Sequence, residues 1–160
     1  MELIFWRHAD AGDALDDPQA DLGRPLSSRG RRHADRIARW LHGRIPEQLI
    51  VISSPALRAR QTADALGRKT LIEQRLSPGC GPQTYLEVAG WPQGPNTRCQ
   101  HVIVIGHQPE IGQALSLALT GQAAAWPFRK GTVAWLSART DPTLGSAIPL
   151  LRAVIGHDLA

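Results

Sequence analysis

Two histidines and two arginines stand where short apolar segments of this chain end. Arg7 and His8 close an apolar run near the N-terminus, and His107 follows a second apolar run with one glycine between them. Arg58 comes shortly after a third run, which ends at residues 53–55. Guanidinium groups present forked donors that match the geometry of phosphate oxygens, and a neutral imidazole can attack phosphorus. These residue types together favour phosphoryl-transfer chemistry.

The elements that must position these residues are short apolar strands alternating with amphipathic helices. In open α/β sheets, side chains at the carboxyl ends of strands line the binding crevice, so we expect Arg7, His8 and His107 to converge there. Arg58, one turn into a predicted helix, can reach the same crevice, whereas Arg60 points elsewhere on that helix. The pattern leaves open which of the two histidines would be the nucleophile.

Hydrophobic periodicity and turn residues predict the order of the elements. The predicted strands cover residues 2–6, 49–52, 70–73, 101–105, 132–136 and about 148–155, and the predicted helices cover about 29–43, 55–67 and 110–120. Residues 9–27 are predicted as a loop, residues 76–100 as an irregular excursion, and Asp141–Pro142 as the turn between the last two strands. This order favours an α/β three-layer sandwich, in which a mostly parallel, mixed sheet carries helices on both faces. We expect residues 1–160 to form a single domain.

The composition argues against several classes of protein. Hydrophobic residues make up 42% of the chain, which is enough for a core and disfavours wholesale disorder. No apolar stretch approaches the roughly 20 residues that span a bilayer, and the N-terminus lacks the basic flank of a signal peptide. We therefore expect a cytoplasmic protein with no membrane contact. Cys80 and Cys99 do not form a CxxC pair, and the sequence leaves open whether they are joined.

The basic charge of the chain raises the question of nucleic-acid binding. The net charge is +4, and seven arginines fall between Arg24 and Arg44, mostly on the polar side of one predicted helix. No aromatic residues interleave with them as a stacking platform would require, so a solvated helix face is the favoured interpretation and nucleic acid is disfavoured as a partner. The same charge would also steer anionic substrates towards the protein.

Three segments resemble the signatures of the histidine phosphatase superfamily. Residues 7–9 read Arg-His-Ala where that family has an Arg-His-Gly motif. Residues 54–63 begin with Ser-Pro and continue through Arg58 to a Gln-Thr pair, and residues 104–107 end in Gly-His. The order and spacing match the family over most of the chain. The small size and the Arg-Pro-Leu-Ser segment at 24–27 resemble the SixA branch, the bacterial phosphohistidine phosphatases.

The resemblance implies a histidine phosphatase-like fold, an activity and a site. The implied activity is hydrolysis of phosphohistidine on a protein, such as a phosphocarrier or phosphotransfer domain, without a metal ion or an organic cofactor. His8 would be the nucleophile and would form a covalent phosphohistidine intermediate. Arg7 and Arg58 would bind the phosphoryl group, and His107 would complete the pocket. Arg24 would bind substrate from a loop over the site.

The two implied histidine roles need opposite protonation states. His8 must be neutral to attack phosphorus, whereas His107 is more useful as a protonated donor. We therefore expect a bell-shaped dependence of the rate on pH, with apparent pKa values that belong to the coupled pair.

The sequence departs from the family pattern at two places. Ala9 replaces the usual glycine, which is tolerable at a negative φ and costly at a positive one. Larger members supply a carboxylic general acid after the second motif, but the corresponding segment 75–81 has no carboxylate. Such an acid matters less for a phosphoramidate, because its leaving nitrogen can arrive already protonated. This argument favours phosphohistidine over sugar phosphates.

Three other functions compete with this interpretation. The first is a small-molecule phosphomonoesterase of the same superfamily, which a lid formed by residues 76–100 would suit. The second is a non-catalytic phosphate- or nucleic-acid-binding domain that uses the same arginines. The third is a metal-dependent hydrolase, but the sequence has no HExxH or HxH pattern. A Rossmann or P-loop nucleotide site is not supported, because neither glycine-rich motif follows a strand.

Overall fold

A computed structural model describes residues 1–95, 99–140, 143 and 146–160. The strands are β1 (Glu2–Arg7), β2 (Ile50–Ser53), β3 (Thr70–Ile72), β4 (His101–Gly106), β5 (Val133–Thr140) and β6 (Ala147–Ile155). The helices are α1 (Pro18–Leu22), α2 (Ser28–His42), α3 (Leu57–Asp64), α4 (Pro82–Ala89) and α5 (Glu110–Thr120), with a 3₁₀ turn at Gln74–Leu76. Among the described residues, no helix is both long and apolar enough to cross a membrane.

The six strands form one mixed sheet in the order β3-β2-β4-β1-β5-β6. Four neighbouring strands, β3, β2, β4 and β1, are parallel, whereas β5 pairs antiparallel with both β1 and β6. Arg7 lies beside Gly106 in the β1–β4 register, and Ser53 lies beside Ile105 in the β2–β4 register. The carboxyl ends of three strands therefore meet at one edge of the sheet, and the predicted mostly parallel, mixed sheet is confirmed.

Helices cover both faces of the sheet, as the alternation of side chains along β1 shows. Leu3 and Phe5 point into an apolar cluster with α4 and α5, whereas Ile4 and Trp6 point into a second cluster with α2 and α3. Successive side chains of a strand alternate between its faces, so one strand contributes to both clusters. The three-layer α/β sandwich is confirmed.

Two helices lie where the sequence predicts irregular structure. The first, α1, lies inside the predicted loop 9–27. It begins at Pro18, and the side chain of Asp17 caps it by accepting hydrogen bonds from the Gln19 and Ala20 amides. A proline at the first helical position after an aspartate is a helix-start signal, and the density of turn-forming residues around it obscures that signal.

The second, α4, lies inside the predicted excursion 76–100. It begins at Pro82 after Gly81 and ends at Gly90, which has a φ of 67°. Tyr85, Leu86 and Ala89 are buried at helical spacing. The prolines and glycines that indicate a loop are here the boundaries of a helix, because glycine favours the left-handed position after a helix and proline its first turn.

The remaining elements differ from the prediction mainly at their ends. The predicted helix 55–67 is shorter, as α3, and the predicted strand 132–136 is extended by hydrogen bonding to β6. The predicted turn Asp141–Pro142 lies outside the described residues. Cys80 and Cys99 are not bonded to each other.

Gly30 marks the closest approach between α2 and the segment after β1. A Cβ at Gly30 would lie 1.9 Å from the carbonyl oxygen of Asp10 and 2.8 Å from its carbonyl carbon. That oxygen also accepts a hydrogen bond from the Ser27 amide at 2.9 Å. The helix therefore packs directly on the backbone that leaves the Arg-His segment, and only glycine permits this contact.

We expect Gly30→Ala to lower the free energy of unfolding by at least about 1–3 kcal/mol, because the methyl group must displace backbone rather than a flexible side chain. Urea denaturation measures this change. Gly43→Ala is the matched control, because its Cβ would meet nothing within 4 Å and its φ is −80°. Equal stability of Gly30→Ala and the control would contradict the close packing.

Candidate active site

All five residues predicted for the site line one pocket of about 260 Å³ at the carboxyl edge of the sheet. His8 and His107 face each other there, with ring centroids 5.2 Å apart and ring planes inclined by 57°. Arg7, Arg58 and Arg24 complete the basic lining. Because His8 and His107 follow the adjacent parallel strands β1 and β4, strand pairing itself places the two rings together.

The backbone determines which ring nitrogen of His8 carries its proton. Nδ1 of His8 lies 2.8 Å from the carbonyl oxygen of Ala9. A carbonyl can only accept a hydrogen bond, so Nδ1 carries the proton and donates it. The lone pair of the neutral ring is then on Nε2, which makes no hydrogen bond to the described residues. Nε2 is the atom of His8 that can attack phosphorus.

Ala9 is anchored by the second sequence motif. Its amide donates to Oγ1 of Thr62 at 3.0 Å, and that hydroxyl donates to the carbonyl oxygen of Arg58 at 2.7 Å. Ala9 is fully buried and does not have a positive φ, since no described non-glycine residue does. The methyl group that replaces the family's glycine is therefore tolerated.

Arg58 and Arg7 line the pocket from different elements, and each is fixed by contacts with a distant segment. Arg58, which is 4% exposed, donates from Nη1 to the carbonyl oxygen of Asp21 at 2.6 Å and lies 3.0 Å from Oδ2 of Asp21 through Nη2. Arg7 donates from Nη1 to the carbonyl oxygen of Phe128. In the described part of the chain, Nε of each arginine is buried and has no acceptor. Each guanidinium group thus retains an N–H donor without an acceptor, and both groups line the pocket.

His107 is oriented by two hydroxyl groups. Its Nε2 lies 2.7 Å from Oγ of Ser54, and its amide donates to the hydroxyl of Tyr85 at 2.9 Å. A Cβ at Gly106 would lie 2.0 Å from the same Tyr85 hydroxyl oxygen. The glycine before His107 is therefore required by the approach of Tyr85, and its φ is not positive. The serine of the second motif positions His107, a role that the sequence does not reveal.

Burial and nearby positive charge keep both histidines neutral. The pKa of His8 is lowered to about 3, and burial is the main cause. Arg58 and Arg7 lower it as well, whereas the hydrogen bond to Ala9 opposes the change. Burial, then His8 and Arg58, lower the pKa of His107 to about 2. These surroundings favour a neutral His107 over the protonated donor expected from the sequence, because a buried imidazolium would face two guanidinium groups.

Asp21 is a pocket residue that sequence reasoning missed. Its Oδ1 lies 2.8 Å from Nε of Arg24 and accepts the amide of Leu15, while its Oδ2 contacts Arg58. Burial by itself raises the pKa of Asp21, but the Leu15 amide, Arg24 and Arg58 outweigh it and the pKa is lowered. An ionised carboxylate thus holds two of the pocket's arginines. The aspartate three residues before Arg24 in the helical segment is the signal that could have identified it.

Two further residues reach the pocket from distant parts of the chain. Lys130 lies at its rim and donates to the carbonyl oxygen of Gly12 at 2.7 Å, and Asp13 lines the mouth. Of the segment 75–81, Pro78 is the one residue lining this pocket. Among the described residues, no group of three or more His, Cys, Asp or Glu side chains is arranged to hold a metal ion.

Comparisons with known proteins place this geometry in a family. The sequence profile of the histidine phosphatase superfamily (branch 1) matches residues 3–80. Phosphohistidine phosphatase SixA of Escherichia coli strain K12 is 30% identical to this chain over 132 residues, which cover 76% of each protein. The chain belongs to the histidine phosphatase superfamily, in its SixA-like branch.

Two further similarities cover nearly the whole chain. The protein MT1313 of Mycobacterium tuberculosis strain CDC 1551 / Oshkosh is 35% identical over 156 residues, which cover 94% of this chain and 88% of that protein. The solved structure of the protein histidine phosphatase SixA complexed with tungstate is 25% identical, with a TM-score of 0.75 and coverage of 99% and 98% of the two chains. The histidine phosphatase fold therefore extends from β1 to β6.

We expect Asp21→Asn to bind inorganic phosphate about tenfold more tightly, because the wild-type carboxylate competes with phosphate for Arg58 and Arg24 and repels it. The asparagine oxygen can still accept the Leu15 amide, so the local backbone is retained. Competitive inhibition by phosphate measures the affinity. Weaker inhibition of the variant would instead show that the carboxylate serves mainly to hold the arginines in position.

We expect the stability of this histidine phosphatase to fall as the pH is lowered from about 7 to about 5 in phosphate-free buffer. A histidine whose pKa is lower in the folded protein than in the unfolded chain binds fewer protons when folded, so stability rises with pH between the two pKa values. For His8 this window extends from about 3 to 6.5, and the slope is at most roughly 1.4 kcal/mol per pH unit for each histidine. Urea denaturation across the pH range tests this, and a flat profile would contradict the neutral pair. His107→Gln should reduce the slope, because it removes one of the two buried imidazoles.

Proposed function

We propose that this protein is a phosphohistidine phosphatase that acts on a phosphorylated protein through a covalent intermediate on His8. The observation that carries the proposal is the hydrogen bond from Nδ1 of His8 to Ala9, which leaves Nε2 as the basic atom of a neutral ring. Arg7 and Arg58 lie in the same pocket and supply the charge that phosphoryl transfer requires. The SixA membership supports the same reaction.

In the first step, Nε2 of His8 attacks phosphorus and forms a new P–N bond. The P–N bond to the substrate histidine breaks, and its electron pair goes to the leaving nitrogen. When the other nitrogen of that ring carries a proton, the leaving group is a neutral imidazole. The phosphorylated His8 ring gains positive charge, which its hydrogen bond from Nδ1 to the Ala9 carbonyl stabilises.

In the second step, water attacks the phosphorus atom bound to His8. The bond from Nε2 to phosphorus breaks and returns its electron pair to the ring, releasing inorganic phosphate and neutral His8. Arg7 and Arg58 neutralise the charge on the phosphoryl oxygens in both steps. Arg24 also lines the pocket, and Asp21 and the carbonyl oxygen of Ala11 hold its guanidinium group in place for binding the substrate.

His107 is best suited to act as a neutral hydrogen-bond donor. Oγ of Ser54 already accepts the Ala56 amide at 3.3 Å, so its proton is available to Nε2 of His107. In the tautomer in which Ser54 donates to Nε2, the ring proton of His107 lies on Nδ1, which is buried and has no partner within the described ranges. A neutral donor stabilises the phosphoryl group without requiring an imidazolium beside Arg58.

Asp21 cannot serve as the general acid that protonates an alkoxide leaving group, because its lowered pKa keeps the carboxylate ionised. This supports phosphohistidine as the substrate, since imidazole leaves without such an acid. One observation favours the alternative of a small-molecule phosphomonoesterase: the exposed Asp13 lines the mouth of the pocket. If Asp13 donates a proton to an alkoxide, Asp13→Asn will slow cleavage of an alkyl phosphate and leave phosphohistidine turnover unchanged.

The deciding experiment is single-turnover dephosphorylation of a phosphohistidine-bearing phosphocarrier domain by chelator-treated protein. The wild type is expected to remove the phosphoryl group and to carry acid-labile, alkali-stable phosphate transiently. His8→Ala is expected to lose at least about 10³-fold in rate, because it lacks the nucleophile. His42→Ala is the matched control and should retain the wild-type rate.

Each failure of this experiment has a distinct meaning. His8-dependent cleavage of p-nitrophenyl phosphate without turnover of the phosphoprotein would retain the covalent mechanism and overturn the substrate. Activity lost with the chelator and restored by a divalent cation would overturn metal independence. No turnover of either substrate would favour a phosphate-binding domain.

A further inference from the structure

A strongly basic surface adjoins the candidate active site along α2. Its helical part consists of residues spaced three and four apart, which places them on one face of the helix. The surface, named here the α2 basic surface, consists of Arg29, Arg32, His33, Arg36, Arg39, Arg129, Lys130 and His157. These residues border two shallow, adjoining depressions that share His33 and His157, and one carboxylate lines each depression, Asp35 in the first and Asp10 in the second.

Packing between distant segments organises this surface. The rings of His33 and His157 stack with centroids 3.5 Å apart and planes inclined by 15°. Arg36 donates from Nη1 to the carbonyl oxygen of His157 at 3.1 Å. The C-terminal segment is thereby held against α2, and the charged groups of the two elements form one surface.

The α2 basic surface continues into the catalytic pocket through Lys130. This side chain lines both the pocket and the nearer depression, and its Nζ lies 3.3 Å from Oδ1 of Asp10. A protein that delivers a phosphoryl group to His8 must therefore cover the rim beside Lys130. Whatever surrounds the phosphorylated side chain is brought next to α2.

Cations on this surface outnumber the carboxylates that neutralise them. Asp10 is shared between Arg29 and Lys130, each at 3.3 Å, and Asp158 lies 4.0 Å from Arg129. In the part of the chain that the structure describes, no carboxylate oxygen lies within 4.0 Å of the three remaining arginines. These are Arg32, Arg36 and Arg39, all of them exposed.

The charge around the pocket is asymmetric. On the side of the segment after β1, the exposed residues Asp13, Asp16 and Asp17 precede α1, and Asp13 lines the pocket itself. The α2 side is basic. A partner with an acidic patch on one side of its phosphorylated residue would be attracted by α2 and repelled by the aspartates, so the asymmetry favours one orientation of docking.

We propose that the α2 basic surface docks an acidic face of the phosphorylated protein substrate. The inference rests on the proposed function and adds to it the charge of the partner and its orientation. An acidic protein fits better than a single-stranded nucleic acid, because nucleic-acid platforms expose aromatic rings to the bases. The rings on this surface are those of His33 and His157, which stack on each other.

Binding of short labelled peptides tests the surface independently of catalysis. The probe is a 12-residue peptide with a central histidine flanked by glutamates, and glutamines replace the glutamates in the comparison peptide. Fully extended, 12 residues span about 40 Å, enough to reach from the pocket along α2. At low salt, fluorescence anisotropy is expected to show at least about tenfold tighter binding of the glutamate peptide.

The variant Arg32→Glu/Arg39→Glu reverses two exposed charges whose side chains make no hydrogen bond to the described residues. It is expected to lose at least about tenfold in affinity for the glutamate peptide and to keep its affinity for the glutamine peptide. Arg60→Glu, an exposed arginine on α3 outside the surface, is the matched control and should bind as the wild type. Circular dichroism checks that each variant is folded.

The outcomes separate this inference from the proposed function. Equal binding of the glutamate peptide by the wild type and the double variant would overturn docking at α2. Tighter binding of a 12-nucleotide oligouridylate than of the glutamate peptide would overturn it in favour of nucleic acid. With the central histidine phosphorylated, equal His8-dependent turnover of the two peptides would retain the phosphatase and overturn the docking surface. Charge-dependent binding without turnover of the phosphorylated peptides would support the surface and overturn phosphohistidine as the substrate.

Discussion

The hydrogen bond from Nδ1 of His8 to the carbonyl oxygen of Ala9 is the constraint on which the site depends. It selects the tautomer with a lone pair on Nε2 and fixes the orientation of the ring. The carbonyl is itself held in place, because the Ala9 amide is bonded to Thr62 and the next carbonyl, of Asp10, packs against Gly30. Contacts from α2 and α3 thus hold the backbone that carries this carbonyl.

Electrostatics divides the pocket into neutral and charged parts. The two imidazoles are buried near guanidinium groups, and both causes lower their pKa values and favour the neutral rings that the proposed mechanism needs. The arginines in turn require anionic partners, and Asp21 supplies a carboxylate to Arg24 and Arg58. A phosphoryl group offers the same pattern of acceptor oxygens. The carboxylate that holds these two arginines is therefore also the group with which a bound phosphoryl group would compete for them.

Charge around the pocket would also govern how a protein partner approaches it. A pocket of about 260 Å³ has room for little beyond a phosphoryl group, so under the proposed function the selectivity among phosphoproteins would depend on the rim. One side of that rim carries exposed aspartates and the other side carries the α2 basic surface. Long-range charge acts before contact and orients the approaching partner. Catalysis and partner selection would then depend on separate residues that meet at Lys130.

Sequence alone predicts the parts of this protein that depend on local pattern. The apolar run before Arg7, the spacing of Ala34, Ile37 and Leu41, and the three motif segments predict the sheet, the helices and the convergence of four pocket residues, whereas the resemblance to the SixA branch adds Arg24. These features follow from strand and helix periodicity and from the rule that parallel strands end at one edge. The prediction fails where prolines and glycines bound short helices, as in α1 and α4.

Tertiary structure decided the chemistry of the individual groups. Three properties depend on contacts between segments that are distant in the chain. They are the lowered pKa of His107, the pairing of Asp21 with Arg58, and the stack of His33 on His157. Burial and the distance between charges determine such properties, and both arise only when those segments are packed together.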